Sequence, residues 1–413
     1  MVNLSLIDKL FRTATMLRWN DHIRPIEFTE LDKQSHKAII AFVLAKFEED
    51  FKEPSDKIWI ELIEGGIFEF LQRAVLTDLK PPLIYRLMKK ESDRIELNNH
   101  VIKTVKSEIK DLEPEFIDDF EKYLAGSKQK NLPRRILEAA HYLATDWEFR
   151  IIYDCNPHVY GLDRTKEDIE NTIEDHYDLI GVKKVELKKR TYGFIDLCGQ
   201  LRFQRRWSQT PRIPPTSVLG HMYLVGIMSY LYSKEVGENE STRRNTFYSG
   251  LFHDLPEVLT RDVINPIKKN VQFINKNLED VEKSLMEEKL LPLLPSSWHW
   301  EIRHLAFNPK MLRYTDKDKE TQEFVGSYDD FISLDDEKFP NRVDGSLISG
   351  CDTLTAFMEA TASQSYGIDS KELQNGRKKA QKKLTEMKFG KIDFGIEANK
   401  YSKLLDEISS EEE

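Results

Sequence analysis

The stretch FYSGLFHDLPEVLTRDVINPIKK (residues 247–269) joins an apolar helical run to a His-Asp doublet and then to a second, charged helical run. Phe247 to Phe252 should be buried, so the doublet His253-Asp254 at its end is carried inward with it. A buried Asp beside a buried His is costly unless its charge is compensated, and a divalent cation compensates it directly. The doublet alone is weak, because adjacent His and Asp arise by chance in 413 residues. Its partners give it meaning: His221 lies 32 residues upstream and Asp352 lies 98 downstream, each in its own helical segment. Two imidazoles and two carboxylates from three segments are a ligand set for one divalent metal with a position left to water. The mixed N/O donors suit Mn, Co, Fe, Ni or Zn better than Ca, and the lack of thiolates removes the soft-metal case. Such a metal lowers the pKa of bound water and makes a nucleophile at neutral pH.

The rest of the chain is also helical in pattern. Val218, His221, Met222, Val225 and Met228 share a face at i, i+3/i+4 spacing, as do Ile136, Ala140, Leu143 and Trp147. Alternating strand patterns are scarce, which predicts an all-α protein whose proline-containing turns (Pro81-Pro82, Pro211 to Pro215, Pro292 to Pro295) separate helices. A net charge of −10 excludes a broad nucleic-acid footprint, although one well-placed Arg still serves a small phosphorylated substrate. Three cysteines without CxxC spacing indicate neither a disulfide framework nor a structural zinc site. The N-terminus has no signal-peptide core, and the longest uncharged stretch, Val218 to Ser233, is too short for a bilayer. No membrane association and a cytoplasmic location are expected. The terminal SSEEE reads as a frayed acidic tail.

The chain also repeats itself. Leu6-Ile7-Asp8 precedes Arg18-Trp19 by the spacing at which Phe194-Ile195-Asp196 precedes Arg206-Trp207. Ser35-His36-Lys37 matches Gly220-His221-Met222, and Val75-Leu76-Thr77-Asp78 echoes Val258-Leu259-Thr260-Arg261-Asp262. His141 falls where Asp352 falls, and Tyr160-Gly161-Leu162-Asp163 mirrors Tyr366-Gly367-Ile368-Asp369. The offsets run 188, 185, 183, 211 and 206, drifting slowly except for one jump of 28 between Leu305 and Gly350. That interval predicts an inserted surface loop near residues 308–345. The expectation is a duplication, with domain one at 1–188 and domain two at 189–413. Shared helical periodicity is the plainer explanation, but it does not produce paired Arg-Trp and Tyr-Gly-x-Asp motifs in order.

Each site residue also has an ordinary reading. His221 could be a satisfied core histidine. Asp254 and Asp352 could cap the helical runs that follow them. Arg206 could belong to a solvated basic helix end, Trp207 to interdomain packing, and Glu257 to a helix surface. Taken together, His221…His253-Asp254…Asp352 resembles the HD-domain metal-dependent phosphohydrolases. Arg206-Trp207 followed by HDLPEVLTRDVINPIKK is similar, more narrowly, to the bacterial 5′-deoxynucleotidases of that superfamily. The resemblance covers roughly Ile195 to Gly367. It implies an HD-type helical domain, and with the duplication two in tandem, with His221, His253, Asp254 and Asp352 on the metal. It further implies Glu257 as the proton-handling carboxylate, Asp262 as a second carboxylate that positions the water, Arg206 on the 5′-phosphate and Trp207 against the sugar. Gly220 stands where the family commonly has a Glu.

Domain one keeps Arg18-Trp19, His36 and Asp78, but Phe70-Leu71-Gln72 occupies the place of the doublet and His141 that of the final Asp. It is expected to be a degenerate, non-catalytic copy that pairs with domain two as an intramolecular pseudo-dimer, or within a homodimer. The expected activity is removal of the 5′-phosphate from (deoxy)ribonucleoside monophosphates by a metal-bound water. The alternatives are a dNTP triphosphohydrolase or phosphodiesterase of the same superfamily, or a nucleotide-sensing scaffold.

Overall fold

The structure, a computed structural model, describes residues 2–50, 56–76, 81–109, 114–126, 131–260, 272–315, 321–335, 338–339 and 341–411. These residues are all-α apart from three two-stranded antiparallel ribbons. The chain divides into two compact units, Met1–Lys183 and Lys184–Glu413.

In the first unit, α1 (Leu4–Arg12) leads to a ribbon of β1 (Leu17–Arg18) and β2 (Phe28–Thr29). Then follow α2 (Glu30–Glu49), α3 (Asp56–Val75), α4 (Pro81–Met88), α5 (Glu91–Ile109), α6 (Pro114–Ala125), α7 (Leu132–Cys155) and α8 (Leu162–Glu174). Helix α2 packs on α3 and α7, and Ile39, Ile40, Phe42, Ile67, Ile136 and Ala140 fill the space between them.

Helix α9 (Ile180–Glu186) runs across the division. The second unit continues with α10 (Arg190–Gln200), α11 (Val218–Val236), α12 (Glu240–Phe252), α13 (Glu257–Thr260), α14 (Gln272–Leu285) and α15 (His299–Ala306). A ribbon of β3 (Arg313–Thr315) and β4 (Gln322–Phe324) comes next, then α16 (Tyr328–Ile332), α17 (Gly345–Ser365) and α18 (Lys371–Thr385). A last ribbon, β5 (Lys388–Phe389) with β6 (Ile392–Asp393), precedes α19 (Phe394–Glu411).

Helix α11 is the axis of this unit. The Ser217 hydroxyl starts it by accepting from Gly220 N at 2.9 Å, and Gly237, at φ 85°, ends it. Sequence periodicity gives α11 one apolar face, yet every residue from Val218 to Lys234 is buried, because α12 and α17 both pack on it. A helix enclosed on all sides loses its polar stripe, and the spacing pattern cannot announce that. Helix α12 comes so close that a Cβ on Gly250 would lie 2.9 Å from Gly226 Cα. The two glycines let the backbones touch three residues before His253.

The interval read as a surface loop is more built than that. Its buried Arg313 donates to the carbonyls of His304, Asn308, Pro309 and Met311 and to Ser249 Oγ at 2.6 Å. Burial pushes this guanidinium down to about 9. An Arg reads as surface in a hydropathy pattern, but its donors can be satisfied by a carbonyl cage instead.

The two units repeat one local design around their Arg-Trp pairs. Leu17 pairs with Thr29, and Arg205 pairs with Ser217, in the same antiparallel sense. Thr29 and Ser217 each cap a helix. Trp19 (φ 55°) and Trp207 (φ 57°) both adopt the left-handed conformation, rare for a non-glycine residue. So do Gly161 (φ 89°) and Gly367 (φ 78°). Keeping the capping residues in register puts Lys33, rather than His36, at the position of His221. The matching of His36 with His221 is corrected accordingly: His36 is buried with its ring edge-on to Trp147, at 5.1 Å between centroids. Asp78, matched with Asp262, lies outside the described residues, as Asp262 does.

Candidate metal centre

Three helices bring four donors to one point. His221 comes from the first turn of α11, His253-Asp254 from the end of α12, and Asp352 from the middle of α17. Capping therefore does not explain Asp352; the N-cap of α17 is Asp344, eight residues earlier, whose carboxylate accepts from Ser346 N and Leu347 N. Nor does the Asp254 side chain cap the following turn; its carbonyl accepts from Glu257 N at 3.1 Å.

His221 Nε2 lies 3.1 Å from Asp352 Oδ1 and 3.9 Å from Asp254 Oδ2. His253 Nε2 lies 3.1 Å from Asp254 Oδ2 and 4.0 Å from Asp352 Oδ1. Donors about 2.1 Å from a shared ion sit about 3.0 Å apart at a right angle and about 4.2 Å apart across it. The four separations fall in that span. Among the described residues, His221, His253 and Asp254 also form the one group of His, Cys, Asp or Glu whose donor atoms all lie within 4.8 Å of one another.

The chemistry of the donors fits a cation as well. His253 Nδ1 sits 2.7 Å from Gly250 O, which assigns the proton to Nδ1 and turns the Nε2 lone pair inward. That Nε2 is buried and makes no well-aligned hydrogen bond in the described structure. Burial alone would lower the His253 pKa, but the carboxylates of Asp254 and Asp352 raise it above the ordinary value. His221 goes the other way, lowered by burial and by the Arg206 charge. Burial would raise both aspartates, yet His253 pulls Asp254 below the usual carboxylate range, and Lys310 and His221 do the same for Asp352. The result is a half-buried pair of ionised carboxylates with two imidazole nitrogens aimed between them. Such a set calls for a hard or borderline divalent cation.

Arg206 and Trp207 converge on a residue that sequence reading missed, Glu359. Arg206 Nε donates to both Glu359 oxygens at 3.2 Å, and Trp207 Nε1 donates to Oε2 at 2.8 Å. The Thr216 hydroxyl and Arg212 bear on the same carboxylate, which is fully buried. Burial would raise Glu359, but Arg206 and Arg212 hold it down at about 2. Held this way, Arg206 points Nη1 toward Asp254 Oδ2 at 3.9 Å. The outer ring of Trp207 abuts α18, where a Cβ on Gly376 would come within 2.4 Å of it. Glu257 opens α13 and is buried rather than on a helix surface. Lys310, another residue that sequence reading passed over, places Nζ 2.5 Å from Asp352 Oδ2.

The first unit has the frame without the donors. Arg18 Nε and Trp19 Nε1 both reach Glu148 Oε2 at 2.9 Å, so Glu148 does for Arg18 what Glu359 does for Arg206. The spacing of Glu148 to Glu359 equals that of His141 to Asp352, which is the one signal that could have found both glutamates. Arg18 differs in giving Nη1 to a second carboxylate, Glu30, at 2.9 Å. Lys33 fills the position of His221 with its Nζ 2.5 Å from His141 Nδ1. Burial and the neighbouring cations lower both Lys33 and His141. Phe70 and Leu71, fully buried, stand where the doublet would be.

No curated protein matches the sequence. Residues 198–381, which include His221, His253, Asp254, Asp352 and Glu359, match the family model described as HD domain.

Proposed function

We propose that the second unit is a metal-dependent phosphomonoesterase that removes the 5′-phosphate from deoxyribonucleoside monophosphates. One observation carries this reading: Arg206 is fixed by Glu359 with a guanidinium nitrogen 3.9 Å from Asp254, which sets a cationic fork beside the donor cluster. A phosphomonoester dianion is the ligand such a fork recognises. His221, His253, Asp254 and Asp352 would hold the metal, one divalent Mn, Co, Fe, Ni or Zn. When bound, the ion supplies Lewis acidity and a water of lowered pKa.

The protein's own groups do the rest. Arg206 binds the non-bridging phosphoryl oxygens and balances their charge. Trp207, oriented by Glu359, packs against the sugar where a ribose 2′-hydroxyl would crowd. Water adds to phosphorus as the P–O5′ bond breaks, and Glu257 takes the proton the water loses and passes it to the departing 5′-oxygen. Asp262 would orient the water. The first unit is the non-catalytic copy.

A nucleotide panel assayed separately for phosphate, pyrophosphate and tripolyphosphate tests the reading. Phosphate from deoxyribonucleoside monophosphates is expected; tripolyphosphate from dGTP would overturn it in favour of a triphosphohydrolase. Within the same panel, Arg206→Ala should raise KM strongly while Arg18→Ala leaves turnover nearly unchanged. Equal losses from both variants would refute a single live site.

A further inference from the structure

Lys310 is not one of the four His and Asp donors and lies 42 residues before Asp352 in the sequence. Its ammonium nevertheless touches the donor cluster, 2.5 Å from Asp352 Oδ2, while its side chain stays 45% exposed. A half-exposed lysine usually wanders. This one is carried by a turn that the fold fixes from two sides. Arg313 ties down the carbonyls of Asn308, Pro309 and Met311 and reaches Ser249 on α12, four residues before His253. Asn308 takes a left-handed conformation (φ 52°) to begin the turn. On the other side Gly345 lies so close to Met311 that a Cβ there would come within 2.3 Å of its backbone. The turn is thus pinned to α12 and to the start of α17, the two helices that supply His253, Asp254 and Asp352.

The charges around the site show what a fixed ammonium does there. Ion pairs link Arg206, Arg212 and Lys310 to Asp254, Asp352 and Glu359, three cations to three carboxylates. That set is neutral. A divalent ion adds two positive charges, and a phosphomonoester dianion cancels them. Without Lys310 the set would be anionic, and a dianion would enter against an unbalanced negative charge in a partly buried site. Lys310 also reaches the cluster through Asp352, whereas Arg206 reaches it through Asp254, so the two cations address different carboxylates.

We propose that Lys310 is a substrate-binding residue that holds a non-bridging oxygen of the phosphoryl group, across the centre from Arg206. The proposal rests on the phosphomonoesterase reading and names the second cation of that site. With Asp352 engaged as a metal donor, the Lys310 ammonium would be free to turn from that carboxylate to the phosphoryl oxygen.

The test uses the full-length protein loaded with Mn²⁺, with Lys310→Met and Lys310→Arg as variants. Metal content is measured first, then binding of inorganic phosphate by calorimetry, then KM and kcat on a deoxyribonucleoside monophosphate. Lys310→Met should keep its metal, bind phosphate at least about tenfold more weakly and raise KM more than it lowers kcat; Lys310→Arg should recover part of the phosphate affinity. Unchanged phosphate binding in Lys310→Met would sink the proposal. Loss of metal from that variant would do so too, since Lys310 would then only shape Asp352. If the metal-loaded wild type releases phosphate from no monoester, the phosphomonoesterase reading fails, and the phosphate titration still decides whether Lys310 binds the anion.

Discussion

Glu359 gathers more of the site's polar contacts than any residue visible as a motif. One fully buried carboxylate accepts from Arg206, Trp207 and Thr216 and faces Arg212. Removing one partner from a buried ionic network leaves the others uncompensated, at a cost of about 3–5 kcal/mol. Glu359→Gln keeps the shape and removes the charge, so it should destabilise the protein toward denaturant by about that much. It should also raise KM more than it lowers kcat, with metal content unchanged, because Glu359 orients Arg206 without lying among the metal donors. A variant with wild-type KM would show that Arg206 needs no such anchor. The two histidines stood out because the chain has only 10 and their chemistry is specific, and the two aspartates only through their spacing from them. Glu359 was not, because a lone Glu in a helix 153 residues from Arg206 looks like any solvated glutamate. Only tertiary structure shows that it is buried.

Helix α17 carries Asp352, and its start depends on a second buried carboxyl pair. Asp344 caps α17 while lying beside Glu238, with which it shares a hydrogen bond. Burial raises the Asp344 carboxyl to about 6, and burial and the Asp344 charge push Glu238 well above its usual value. In the unfolded chain Asp344 titrates near its ordinary value of about 3.9. The folded state therefore binds more protons between these values, and stability from this group is complete below about pH 4 and lost as pH rises through about 6. Asp344→Asn retains a capping side chain and no longer ionises. Relative to wild type it should gain stability as pH rises from about 4 to 6, by about 3 kcal/mol at most. Parallel unfolding curves at pH 4 and pH 7 would contradict this. Element boundaries and faces were only partly legible. Helical periodicity found α11, but not that it is buried all round, and it took Asp352 for the start of a helix that begins at Gly345. Packing partners decide both points, and they lie far away in the sequence.

The offsets between repeated motifs pointed to two units, but they did not fix the register of the helices. His36 and Lys33 lie three residues apart, close to one helical turn, so either satisfies the apolar pattern when set against His221. The cap residues Thr29 and Ser217 resolve the choice in favour of Lys33. That choice has a consequence for metal binding by the whole chain. The buried Lys33 Nζ, 2.5 Å from His141, occupies the space that a cation and its donor would need. Phe70 and Leu71 offer no ligand atoms in place of His253 and Asp254, and Arg18 is already neutralised by Glu148 and Glu30. The expected stoichiometry is therefore one divalent ion per chain, bound entirely by the second unit. Elemental analysis after loading and desalting should give one equivalent for wild type and none for a His253→Ala/Asp254→Ala double variant. Chelation should lower the unfolding midpoint of wild type and leave that variant's midpoint unchanged, since an ion that binds only the folded state stabilises it by about 2.7 kcal/mol at a hundred times its Kd. Two equivalents in wild type, or one retained by the double variant, would mean that the first unit holds a metal despite Lys33.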